Sequence, residues 1–94
     1  MKYTSCEIYF ILRMMQMIIN RLKKIRTGLM NGASDRRKWT QEELAKRVNV
    51  TSRTIIAIEK GIYNPTLELA FRLALELGVS VEEIFSYRKD EHEE

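Results

Sequence analysis

Large apolar side chains recur along this chain at spacings of three, four and seven, which is the signature of helices. Ile8, Met15, Leu22 and Leu29 stand seven apart, and so do Ile11, Ile18 and Ile25. That seam predicts one long amphipathic helix from Ile8 to Met30, with Arg13, Gln16, Asn20, Lys23 and Lys24 off the apolar stripe. The run Ile8-Tyr9-Phe10-Ile11 also suits a strand. Leu44, Ala45 and Val48 mark a second helix, Ile55 and Ile58 a third. Leu67, Ala70, Phe71, Ala74, Leu75 and Leu77 mark a fourth that is strongly amphipathic, and Ile84 and Phe85 belong to a short fifth. The expected fold class is therefore all-α, five helices without a strand. The expected core is Leu22, Ile25, Leu44, Ala45, Val48, Val50, Ile55, Ile58, Leu69, either Phe71 or Leu73, and Ile84.

Start and stop signals agree with that division. Thr40 and Glu43 have capping-box spacing, with Trp39 and Leu44 at the staple positions around them. Asn49 tolerates the left-handed conformation that ends a helix, and Thr51 can cap the next one. Thr66 caps the fourth helix, Gly78 stops it, and Ser80 with Glu83 forms another capping box. Residues 31–38, Asn31 to Lys38, are turn-rich and end in three cations.

The segment Thr40–Gly61, TQEELAKRVNVTSRTIIAIEKG, is thus two short helices joined by a tight turn, the spacing of a helix-turn-helix. Gln41 opens the first helix and small Ala45 sits where the pair would cross. Asn49 holds the turn, Ile55 and Ile58 face the core, and Glu59-Lys60-Gly61 closes the unit. With the downstream run IYNPTLELAFRLALELGVSVEEIF, these residues resemble the lambda-repressor/Cro-type (XRE) family of helix-turn-helix regulators, over roughly residues 18 to 87. The resemblance implies a five-helix lambda-repressor-like DNA-binding domain whose second motif helix enters the major groove. Two departures stand out: the connection between the first two helices is about eight residues longer than usual in the family, and Asn49 replaces the usual glycine.

By position in the family motif, Thr51, Ser52, Arg53 and Ala57 would reach base edges or nearby phosphates. Arg53 is the specificity candidate, because its fork can grip O6 and N7 of guanine. Ile56 stands where the family commonly has a polar residue, and would meet either a thymine methyl or a rim or dimer contact. Gln41 with the amides of its helix start, Thr54 and Lys60 are candidates for the phosphate backbone. Arg36, Arg37 and Lys38 either add to that backbone contact or form a solvated insertion. Arg26 and Glu59 match an internal salt bridge of similar proteins.

Composition narrows the alternatives. Ninety-four residues with 45% hydrophobic content allow one small core. The net charge of +3 hides a gradient: +7 over residues 1–39, +1 over residues 40–61 and −5 over residues 62–94. Basic charge thus gathers ahead of and within the motif, where phosphates would lie. A single cysteine, Cys6, excludes an intramolecular disulfide and fits the cytoplasm, and with His92 as the one histidine there is no zinc-ligand set. No cofactor is expected. An enzyme finds no support, since there is no Gly-rich phosphate loop and no histidine beside a nucleophile, while Glu42, Glu43, Glu82 and Glu83 suit helix starts.

The expected organisation is an apolar extension over residues 1–17, the helix-turn-helix domain over residues 18–87 and an acidic tail over residues 88–94. Arg13 and the shortness of the apolar run argue against a signal peptide or membrane span. The extension is either a leader before Met14, Met15 or Met17, or a functional helix that buries its seam against a second subunit. The expected partners are double-stranded DNA and a second copy of the chain, with no membrane. The expected activity is that of a homodimeric repressor on a near-palindromic operator. Two alternatives keep the fold: an antitoxin whose apolar N-terminus clasps a toxin, or a protein-interaction module without DNA binding.

Overall fold

Among the described residues, most helices start where a hydroxyl side chain accepts a hydrogen bond from a free backbone amide. The computed structural model describes residues 18–87. Strand β1, Ile18–Asn20, leads into α1, Leu22–Gly32; a 3-10 turn, Arg36–Trp39, precedes α2, Gln41–Arg47, and α3, Ser52–Glu59. Helix α4, Leu67–Leu77, then α5, Val81–Ile84, and strand β2, Phe85–Tyr87, complete the order. Thr40, Thr51, Thr66 and Ser80 each accept from the amide three residues on, as their positions foretell. Only Ser80 and Glu83 form the reciprocal box. At Thr40 the box is half made, because Glu43 turns its carboxylate to Lys46 at 3.2 Å.

The expected long helix from Ile8 to Met30 is corrected at its described end, and so is the expected absence of strands. Residues 18–20 are extended and pair antiparallel with β2, Ile18 opposite Tyr87 and Asn20 opposite Phe85. Phe85 therefore belongs to a strand rather than to the last helix. Two β-branched residues favour the extended form. Asn20 then ends it: its Oδ1 accepts from the Leu22 amide at 2.9 Å, and the Arg21 amide goes to the Ile84 carbonyl at 2.8 Å. Helix α1 consequently begins at Leu22 and runs on through Asn31 and Gly32, two residues expected in a loop. The heptad positions Ile8, Ile11 and Met15 lie outside the described residues, as do Cys6 and the acidic tail.

The core gathers Leu22, Leu44, Ala45, Val48, Ile55, Ile58, Leu69, Leu73, Ala74, Leu77 and Ile84 from all five helices. Ile25 and Val50, expected inside, are half-buried and pack against it. Between Phe71 and Leu73, it is Leu73 that is buried. Helix α4 corrects the sequence reading further, since Leu67, Phe71 and Leu75 of its expected apolar face point to solvent. The buried rows of α4 are Leu69-Leu73-Leu77 and Ala70-Ala74. Gly78 ends this helix at φ 73, a left-handed position that costs glycine little.

Candidate nucleic-acid interface

Helices α2 and α3 pack directly against each other, and the turn between them decides which side of α3 is left open. Asn49 adopts φ 65, the left-handed conformation expected of it, and the Val50 amide reaches back to the Ala45 carbonyl at 2.9 Å. Small Ala45 is buried at this crossing. With Ile55 and Ile58 locked into the core, helical geometry turns Arg53, Ile56, Ala57 and Lys60 outward as one stripe at spacings of three and four. Arg53 and Lys60 are exposed at its two ends, while Ile56 and Ala57 are half-buried between them.

The other candidates fall beside this stripe. Thr51 is the exposed cap of α3, and its hydroxyl lies 3.3 Å from that of half-buried Thr54. Ser52 sits half-buried in the first turn. Lys60 closes the helix, its amide donating to the Ile56 carbonyl at 3.0 Å. The amides of Ile62 and Tyr63 both return to the Ala57 carbonyl, so the chain folds back under the end of α3.

A buried ionic network fixes the tilt of α3. Arg26 of α1 meets Glu59 at 2.6 Å through Nε and at 3.2 Å through Nη2, with side chains only 7% and 3% exposed. Arg26 Nη1 also donates to the Trp39 carbonyl at 3.0 Å, and Gln41 Nε2 donates to Glu59 Oε1 at 3.0 Å. Glu59 thus accepts three hydrogen bonds, and Arg26 and Gln41 tie α1, the start of α2 and the last turn of α3 together. Gln41, expected at the phosphate backbone, is engaged here through its amide nitrogen. At the same end Asn20 Nδ2 donates to the Ile58 carbonyl, linking β1 to α3. The sequence carries no signal for this role, since the heptad spacing puts Asn20 inside a helix, off its apolar stripe.

The cationic segment before α2 is ordered. Asp35 caps the 3-10 turn by accepting from the Arg37 amide at 3.1 Å, and Arg36, Arg37 and Lys38 are all exposed. Trp39 anchors the turn, with Lys38 Nζ 5.4 Å and the Arg47 guanidinium 4.9 Å from its ring centre. Arg47 also pairs with Glu76 of α4 at 2.8 Å, so Trp39 is held against the body of the fold. Among the described residues, no helix is long and apolar enough to cross a membrane and no group of three or more His, Cys, Asp or Glu side chains is placed to hold a metal ion.

Comparison with known proteins agrees with this fold. Residues 35–84, just over half of the chain, match the family described as Helix-turn-helix. The chain is 58% identical over 52 residues to the uncharacterized HTH-type transcriptional regulator MJ0272 of Methanocaldococcus jannaschii, which covers 55% of this chain and 79% of that protein. An uncharacterized HTH-type transcriptional regulator of Methanothermobacter thermautotrophicus is also 58% identical over 52 residues, covering 54% of this chain and 75% of its own. The uncharacterized HTH-type transcriptional regulator YgzD of Bacillus subtilis is 40% identical over 47 residues, or 50% of this chain and 71% of that one. A five-helix fold with a two-helix motif at its centre, and this family match across the motif, lead to one conclusion: the chain belongs to the XRE-type helix-turn-helix family.

Proposed function

We propose that this chain carries out DNA-binding transcriptional regulation as a sequence-specific, homodimeric repressor in the cytoplasm, acting on a near-palindromic operator. The observation that carries the reading is the outward stripe Arg53, Ile56, Ala57 and Lys60 on a helix whose opposite face is locked in the core. Inserted in the major groove, Arg53 reads guanine, Ile56 and Ala57 meet methyl groups, and Thr51 and Ser52 reach neighbouring edges or phosphates. Lys60 and Thr54 touch the phosphate backbone and set position without reading sequence. A two-fold pair of copies sets its recognition helices about 34 Å apart, one turn of DNA.

Selection of genomic fragments by the purified full chain, followed by sequencing, tests the whole proposal. Enriched near-palindromic sites are the expected outcome, and fragments bound without sequence preference would overturn it. Within such a site, Arg53→Ala relaxes preference at one base pair per half-site, weakening specific binding by about 1–3 kcal/mol for each half-site. Lys60→Ala weakens binding to all sequences alike and makes the salt slope shallower by roughly one unit for each half-site. Unchanged sequence preference in Arg53→Ala would mean that another element reads the bases.

The ordered turn of Arg36, Arg37 and Lys38 adds affinity that is independent of sequence, supported by its exposure and its anchorage on Trp39. Replacing the three cations with glutamine lowers specific and non-specific binding by similar factors at low salt, and by less at high salt. Titrations at two salt concentrations check this, and an unaltered salt slope would reduce the turn to a solvated insertion.

A further inference from the structure

A surface groove of about 370 Å³ lies between Thr54 of α3 and the first turns of α4. Asn49, Thr54, Tyr63, Thr66, Glu68 and Arg72 line it, over a floor that includes Val50 and Leu69. Its polar lining is built mostly of donors. The Thr66 hydroxyl accepts from the Leu69 amide at 3.2 Å and keeps its own hydrogen to give, while Asn49 and Tyr63 are exposed with an amide and a phenol. The one acid of the lining, Glu68, holds Arg72 at 2.8 Å, with side chains 74% and 44% exposed. An ion pair so open to water contributes little, so Arg72 can leave Glu68 for another anion at small cost.

We propose that this groove seats the sugar-phosphate backbone of one DNA strand, with Arg72 as its cationic contact; the proposal rests on the major-groove reading of α3 above. A helix about 10–12 Å across fills a major groove about 12 Å wide, so each flank of α3 meets one wall of phosphates. Ser52 and Thr54 stand on either side of Arg53, each roughly 100° round the helix from it. On the Ser52 flank, seven residues further along the same face, Glu59 holds Gln41 at the start of α2, just after the cationic turn Arg36–Trp39. That wall has its cations. The Thr54 flank opens on the groove, where Arg72 is the one cation of the lining. Phosphate oxygens of a DNA strand accept and do not donate, so hydroxyls, an amide and a guanidinium suit them, and the fork of Arg72 can grip two of them. Glu68 is then the counter-ion that the strand displaces.

Titration of the full chain and its variants onto a genomic fragment that it selects and onto a random-sequence fragment, at several salt concentrations, tests the proposal. Arg72→Gln is expected to weaken binding to both fragments about tenfold for each copy of the chain bound, and to make the salt slope shallower by roughly one unit per copy. Glu68→Gln has the opposite sign: it strengthens binding to both fragments, because Arg72 is released and the phosphates no longer face a carboxylate. A pair that served only the stability of α4 would make the two variants move together. Circular dichroism and urea unfolding verify that both variants, altered at exposed positions, stay folded. Variants that shift in the same direction, or that both bind like wild type, would overturn the groove; if Arg53→Ala still relaxes base preference, the major-groove reading survives. A wild-type chain that binds neither fragment would overturn both.

Discussion

Arg26→Ala is expected to lower the unfolding free energy by about 3–5 kcal/mol, since it strands the buried carboxylate of Glu59 without its cation. That is a large share of the roughly 5–15 kcal/mol that holds a small domain together. The melting midpoint should fall by on the order of 15 °C or more. The double variant Arg26→Met with Glu59→Leu should recover much of the loss, because neither charge is then left alone. Recovery stays incomplete, as the Trp39 carbonyl and the Gln41 amide lose their partners. Urea unfolding followed by circular dichroism measures all three proteins. A cost below about 1 kcal/mol for the single variant would mean that water reaches this pair. DNA binding should fail in Arg26→Ala below its unfolding temperature, since the same network sets the tilt of α3.

Two adjacent isoleucines should behave as opposites. Ile55 is fully buried between α3 and the core, so Ile55→Ala leaves a cavity and costs about 2–5 kcal/mol. Ile56 is half-buried on the outward stripe, and Ile56→Ala should cost less than about 1 kcal/mol of stability. The ranking reverses for DNA, where Ile56→Ala weakens specific binding by an amount that depends on the base it faces, while Ile55→Ala acts only through loss of folded protein. Denaturation and DNA titration of both variants at a temperature where each is folded separate the effects. Equal destabilisation by the two would mean that α3 is rotated from the orientation described.

Local chemistry made much of this fold legible. Thr51, Thr66 and Ser80 cap the helices they precede because a hydroxyl answers free amides wherever a helix begins, whatever lies beyond it. Asn49 and Gly78 end theirs because few residues accept a positive φ. The outward residues of α3 were likewise expected from their places in the family motif, and the burial of Ile55 and Ile58 three residues apart leaves that face open.

Periodicity misled where more than one structure satisfies it. The spacing of Ile18, Leu22 and Ile25 reads as a helix, but Asn20 caps α1 with its side chain and residues 18–20 join β2, a strand about 65 positions away. A partner so distant leaves no mark in a local window. Helix α4 shows the same limit from the other side. Its apolar positions span more than half of its circumference, and the sequence could not say which part faces inward. The packing of α4 decided that by burying Leu69, Leu73 and Leu77 and leaving Leu67, Phe71 and Leu75 outside. The sequence by itself determined where α2 to α5 begin, where α2 and α4 end and which side of α3 stays open, because those are matters of near neighbours. Only the tertiary structure decided the β1–β2 pairing, the engagement of Gln41 by Glu59 and the exposed ridge of α4, because each depends on which distant surface arrives to compete for the same groups.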